Sequence, residues 1–188
     1  MTIRISKPAF NLRDKISELD CGHVSYQKMP SGSVVDIAYA YNSTQSTHTN
    51  QHTTCVGPVT INRKNSYNSI WLYTSVEYYH NNANGKFSFQ VSFDDGTNWV
   101  NLFDFHGEDD PMSTNEYNTL SITGSYLYDE IATGSLSSYV DGGCMNPQFR
   151  TRFNHVTQNG GTLYLNRGKA GTNFFDGSCT LTAMEIGR

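Results

Sequence analysis

The run Lys86-Phe87-Ser88-Phe89-Gln90-Val91-Ser92-Phe93, then Asp94-Asp95-Gly96-Thr97-Asn98, then Trp99-Val100-Asn101-Leu102-Phe103-Asp104-Phe105 decides the fold class. Two strand candidates, 86–93 and 99–105, flank a turn in which Asp-Gly supplies the positive backbone angles that a tight, strand-matching hairpin needs. The same texture continues on both sides. Residues 34–41 alternate apolar with small or polar side chains, and 56–61, 69–79, 121–128, 148–155, 162–166 and 180–186 read as further strands between polar turns. The Ser/Thr/Asn/His-rich stretch 42–54 reads as a loop or an exposed edge strand, and 82–85 as a second turn. Residues 107–114, which contain Glu108, Asp109, Asp110 and Pro111, read as a solvated loop. Roughly nine strands is near the number that a two-sheet sandwich or jelly roll uses. The expected fold is all-β: a jelly-roll-like antiparallel β-sandwich.

The segment before it has a different pattern. Across residues 6–20, Ser6 can cap a helix, Pro8 fits a first turn, and Leu12, Ile16 and Leu19 recur at helical spacing. Ile5, Leu12 and Leu19 also fall seven apart, so this short helix can either meet its own copies around an axis or pack on its own domain. Residues 21–33 read as a joint. The expected organisation is a helical attachment and assembly segment over 1–32 and a β-sandwich domain over 33–188.

Composition excludes several function classes. The chain has 188 residues, with Lys+Arg 13 against Asp+Glu 17 and a formal net charge of -4. That balance offers no basic stripe for phosphates, so nucleic acid is not an expected partner. Residues 1–20 hold no long apolar run, so neither a secretory signal nor membrane insertion is expected. Cys21, Cys55, Cys144 and Cys179 are widely spaced without a Cys-x-x-Cys pair, which disfavours a zinc knuckle and fits reduced thiols. No Gly-x-Ser-x-Gly elbow, Walker loop, His-Glu-x-x-His or dinucleotide fingerprint occurs, so no enzymatic activity and no cofactor are expected.

The candidate sites are therefore surfaces. His48, His52 and Cys55 have ligand chemistry, but their polar neighbours favour loop or strand, where the side chains would point apart, so no metal is expected. Ser92, Asp94, Gly96 and Trp99 resemble the Asp-box turn of sialidases and related propellers; because the box occurs once here, the resemblance implies a stable turn rather than sugar cleavage. Asp94, Asp95, Trp99 and Glu108, with the tyrosines Tyr117 and Tyr139, are the receptor-contact candidates. Tyr commonly presents an amphipathic ring at interfaces. Ile5, Leu12, Ile16 and Leu19 are the assembly candidates. Asn42-Ser43-Thr44 fits a glycosylation acceptor and is read as incidental.

Two stretches carry a family resemblance. One runs from Gly32-Ser33-Val34-Val35-Asp36 through Gly57-Pro58-Val59-Thr60-Ile61 to Ser69-Ile70-Trp71-Leu72-Tyr73. The other joins Gly161-Thr162-Leu163-Tyr164-Leu165-Asn166 to Ser178-Cys179-Thr180-Leu181-Thr182-Ala183-Met184-Glu185-Ile186. Together they resemble the jelly-roll domain of fibre and other virion proteins of tailed, especially marine, bacteriophages. Asn62-Arg63-Lys64 departs from that pattern where a Pro is common. The resemblance implies a non-enzymatic homotrimer located in the virion, a short fibre or knob for host attachment. It would dock on other virion proteins through its first twenty residues, with a host surface glycan as a further expected contact. Capsid or tail decoration, or a carbohydrate-binding β-sandwich in which Trp99 stacks on sugars, are the alternatives.

Overall fold

A computed structural model describes residues 29–49, 51–81, 85–108, 120–129, 144–155, 161–166 and 177–188. They form ten strands: β1 Val34–Asn42, β2 Ser46–Thr49, β3 Thr53–Thr60, β4 Ser69–Asn81, β5 Gly85–Ser92, β6 Val100–Glu108, β7 Leu120–Tyr128, β8 Gln148–His155, β9 Thr162–Leu165 and β10 Cys179–Ile186. All pairings are antiparallel. Sheet A has the order β1-β10-β4-β9-β2, with β7 on the other side of β4; sheet B has the order β3-β8-β5-β6. The expected all-β architecture of antiparallel sheets is what the described residues adopt. The segment 6–20, with Ile5, Leu12, Ile16 and Leu19, lies outside the described residues, as do Tyr117 and Tyr139.

Alternation explains why these segments are strands. In β8, Phe149, Thr151, Phe153 and His155 are buried while Gln148, Arg150, Arg152 and Asn154 are partly exposed, the period of two that places successive side chains on opposite faces. In β10, Cys179, Leu181, Ala183 and Glu185 point inward in the same way. The inward residues of both sheets merge into one core, in which Phe87, Phe89, Phe149 and Phe153 of sheet B meet Ile70, Leu72, Tyr78, Tyr128 and Leu181 of sheet A. Each such side chain contributes about 1.5–3 kcal/mol by leaving water. The sheets are tied across the core by Thr151 Oγ1 donating to Thr74 Oγ1 at 3.0 Å, and at one edge by the Phe103 and Tyr126 rings, 5.6 Å apart and nearly parallel.

Most expected strand ends shift by a few residues, and two shifts change a strand assignment. The stretch 42–54 divides into a separate strand, β2, which pairs with β9, and the start of β3. Residues 107 and 108, expected in a loop, belong to β6, which continues to Glu108, opposite Gly85 of β5. The acidic composition there suggested solvent, but β6 is an edge strand, where charge is compatible with pairing and guards against further strand addition.

One end of the molecule is closed by the last residues. Gly32 N donates to Gly187 O and Gly187 N to Ser33 O, both at 2.8 Å, latching the entry to β1 onto the exit of β10. Beside them the fully buried Glu185 carboxylate accepts from Lys64 N at 2.8 Å, Asn65 N at 3.3 Å and Asn68 Nδ2 at 2.7 Å. Arg63, also buried, donates to the carbonyls of Ser66, Asn68 and Cys144. The loop between β3 and β4 is thus built around two buried charged side chains, the Glu185 carboxylate and the Arg63 guanidinium, held largely by backbone N–H and carbonyl groups.

Candidate functional site

The turn between β5 and β6 lies at this same end. Asp95 and Gly96 take φ of 56° and 82°, the left-handed pair expected from Asp-Gly. Ser92 Oγ donates to Asp94 Oδ1 at 2.8 Å and accepts from Gly96 N at 2.9 Å. Asp94 accepts from Asn98 N at 2.8 Å and Asn98 Nδ2 at 2.6 Å. Trp99 Nε1 closes the turn on Gly96 O at 2.9 Å. The Ser, Asp, Gly and Trp of the box therefore lock a hairpin, as that resemblance implied. These bonds, those from Asn98 first and then Ser92, hold the Asp94 carboxyl below the ordinary aspartate range.

β8 supplies what the turn packs on. Gln148 Nε2 donates to Asp95 Oδ1 at 2.8 Å, and the Arg150 guanidinium sits 4.0 Å from the Trp99 ring centroid while its Nε donates to Gln90 Oε1 at 2.9 Å. Burial, and then the positive Arg152 two residues on, lowers the Arg150 guanidinium to about 10. Beside the turn opens a concavity of about 530 Å³, lined by Asp94, Asp95, Asn62, Asn146, Gln148 and Met145 among others. Its chemistry is that of a hydrogen-bonding cleft: amides and carboxylates over a partly apolar floor.

Of the receptor-contact candidates, the structure brings Asp94, Asp95 and Trp99 together and separates Glu108 from them. Glu108 pairs with Gly85 at the opposite end of the β5–β6 ladder, whereas the turn follows Ser92. Trp99 presents no free face of the kind sugar stacking uses on the side that Arg150 covers. Gln148, Asn62 and Asn146 were not legible as site residues, because no motif marks them and only the β3–β8–β5 register collects them beside Asp94.

The histidines gather at the other end. His48 and His80 flank Leu163 across β2, β9 and β4, while His155 ends β8. His48 Nε2 contacts Ser46 Oγ and Thr53 Oγ1 at 2.9 and 3.2 Å, and partial burial lowers its pKa. His52 Nδ1 accepts from His155 N at 3.0 Å. Cys55 is fully buried, its thiol pushed well up by burial and then by Cys179, whose own thiol is raised to about 11. Cys55, Cys144 and Cys179 are free thiols. Among the described residues no three His, Cys, Asp or Glu side chains group as metal ligands. Asn42, the potential glycan acceptor, uses its amide to donate to Cys55 O and accept from Thr44 N.

The outer faces of the two sheets differ sharply. On sheet B the outward side chains of β8 and β5 interlock through Gln148, Arg150 and Gln90, with Asn154 Nδ2 donating to Ser88 Oγ at 2.6 Å. On sheet A, Ile37, Met184, Trp71 and Leu127 face outward in one row across β1, β10, β4 and β7. A scan against protein-family models matches none, and a search of curated proteins finds no relative. Among the described residues no helix is long and apolar enough to cross a membrane.

Proposed function

We propose that this chain is a phage virion component, a short trimeric fibre or knob that mediates attachment to a host surface without catalysing a reaction. The strand order supports the fold on which this reading builds. With β2 and β9 set aside, the sheets run β1-β10-β4-β7 and β3-β8-β5-β6, and the facing pairs include β1 over β3, β10 over β8 and β7 over β6. We read that order as the double Greek key of an eight-stranded jelly roll, an architecture used by capsid and lectin domains, and it supports the proposal. The strand-pattern resemblance to tailed-phage virion proteins supports the same reading, and the 1–32 segment is assigned the docking role on other virion proteins. Fold alone does not define a task. The function therefore rests on the surfaces: a polar cleft at the Asp94 end suited to reversible contact, and an apolar outer sheet.

A second reading, a glycan-binding module or particle-decorating protein, is favoured by the cleft, whose carboxylates and amides match sugar hydroxyls. Light scattering after size exclusion, beside a glycan-binding assay, tests both. A trimer that binds a bacterial surface glycan and leaves it intact supports the first reading. A monomer that binds glycan moves the assignment to the second. Hydrolysis abolished by Asp95→Asn overturns the non-catalytic account.

A further inference from the structure

We infer that the outer face of sheet A is covered by the same face, or the adjoining edge, of another copy of this chain. The inference rests on the self-assembling reading above and names the surface responsible. Ile37, Met184, Trp71 and Leu127 are aligned by register, and the next row is Tyr39, Thr182, Tyr73 and Ser125. Ile37 is 60% exposed, Tyr39 59%, Leu127 55%, Trp71 45% and Tyr73 42%, values unusual for apolar side chains that adjoin one another. A third row brings Tyr41 beside Thr180, Ser75 and Thr123.

No Asp, Glu, Lys or Arg occurs in these three rows. Charges begin at their borders. Lys64 and Asp36 pair at 3.6 Å at one end, with Arg188 and Asp129 nearby, and Glu77 lies beyond the other. An apolar, aromatic centre within a charged rim is the anatomy of a protein interface. Strands about 4.8 Å apart and rows about 6.8 Å apart give the patch a footprint of roughly 400 Å² in plan. That is about half of the ~800 Å² that one partner contributes to a standard interface, before the bordering rows are counted. A second copy is the occupant that fits without further assumption. The centre is neutral, so two copies meet without like-charge repulsion, and the rim carries both signs.

The test uses the full chain. Trp71→Glu and, separately, Leu127→Lys place a charge in the central row, and Arg152→Glu is the control on the outer face of sheet B. Mass is read by light scattering, folding by far-ultraviolet circular dichroism and cooperative thermal unfolding. The expected result is an oligomer for wild type and Arg152→Glu, with folded monomers for the two sheet A variants. In a Trp99→Phe background Trp71 is the sole tryptophan, and its emission should shift to the red on dilution as copies separate. An oligomer that survives both charge insertions overturns the assignment of this face while self-assembly stands. A wild-type monomer overturns both. A monomer in which acrylamide fails to quench Trp71 overturns the second copy as occupant and points to residues 1–28 as the cover.

Discussion

The two outer faces belong to sheets that share one core, yet they differ in burial: Ser88 and Gln90 on the outer face of sheet B are buried, whereas Ile37 and Tyr39 on that of sheet A are exposed. Sheet B hydrogen-bonds its outward residues to one another: Arg150 to Gln90, Asn154 to Ser88 and Gln148 to Asp95, with Trp99 beneath Arg150. Sheet A leaves Ile37, Tyr39, Trp71 and Leu127 exposed. Cross-strand pairs on a solvent face are where a sheet gains or forgoes stability. The difference separates a face whose side chains bond to one another from a face that leaves its apolar side chains exposed, the one for which a contact is proposed above.

The largest effect belongs to neither face, and it calibrates both. Glu185→Ala removes a buried carboxylate and strands the N–H groups of Lys64, Asn65 and Asn68, so chemical denaturation should show a loss on the order of 3–5 kcal/mol. The loop tying both sheets together would loosen, so both faces should suffer alike.

Next in size, Arg150→Ala removes the cation over Trp99 and the bond to Gln90. Its cost should be about 1–2 kcal/mol in urea unfolding, with the oligomer mass unchanged. If this substitution instead dissociates the assembly, the division between the faces is broken.

The β5–β6 turn should show a smaller, acid-dependent effect. Asp94 titrates lower in the folded chain than its ordinary 3.8, so its bonds to Asn98 and Ser92 contribute stability above that value. That contribution is lost as pH falls through the lower folded-state pKa. The difference in unfolding midpoint between wild type and Asp94→Ala should therefore persist at neutral pH and shrink only in strong acid, and a carboxyl-carbon NMR titration of Asp94 should locate the window.

The smallest stability change should come from Tyr39→Ser, within about 0.5 kcal/mol for the dissociated chain, since its ring is largely exposed. Its dissociation constant, measured by sedimentation, should rise all the same. A substitution silent in folding and loud in association is the sharpest form of the contrast.

Much of the fold was legible because alternation writes burial directly into sequence. Residues 148–155 were bounded correctly by their period of two, and Asp95-Gly96 announced its turn through backbone preference. Composition misled at Gly107 and Glu108, where pairing with β5 outweighs polarity, while the polar stretch 42–54, read as a loop or an exposed edge strand, supplies the short edge strand β2. The candidate surfaces were only partly legible. Asp94, Asp95 and Trp99 are neighbours in sequence, so one motif located them. Ile37 and Met184 are separated by almost the whole chain and become neighbours only through the β1–β10 register. No reading of either strand by itself reveals the row they share with Trp71. Likewise Arg150 and Arg152 fall on one face through strand alternation that an overall negative charge conceals.

The latch of Gly32 and Ser33 on Gly187 gives the sandwich a compass. It sits at the end that also carries Glu185, the loop after β3 and the Asp94 turn, while Glu108, His52 and His155 mark the opposite pole. Residues that look like one outward-facing set in the sequence thus divide into a near and a far group, and a label on Arg188 would report the near one.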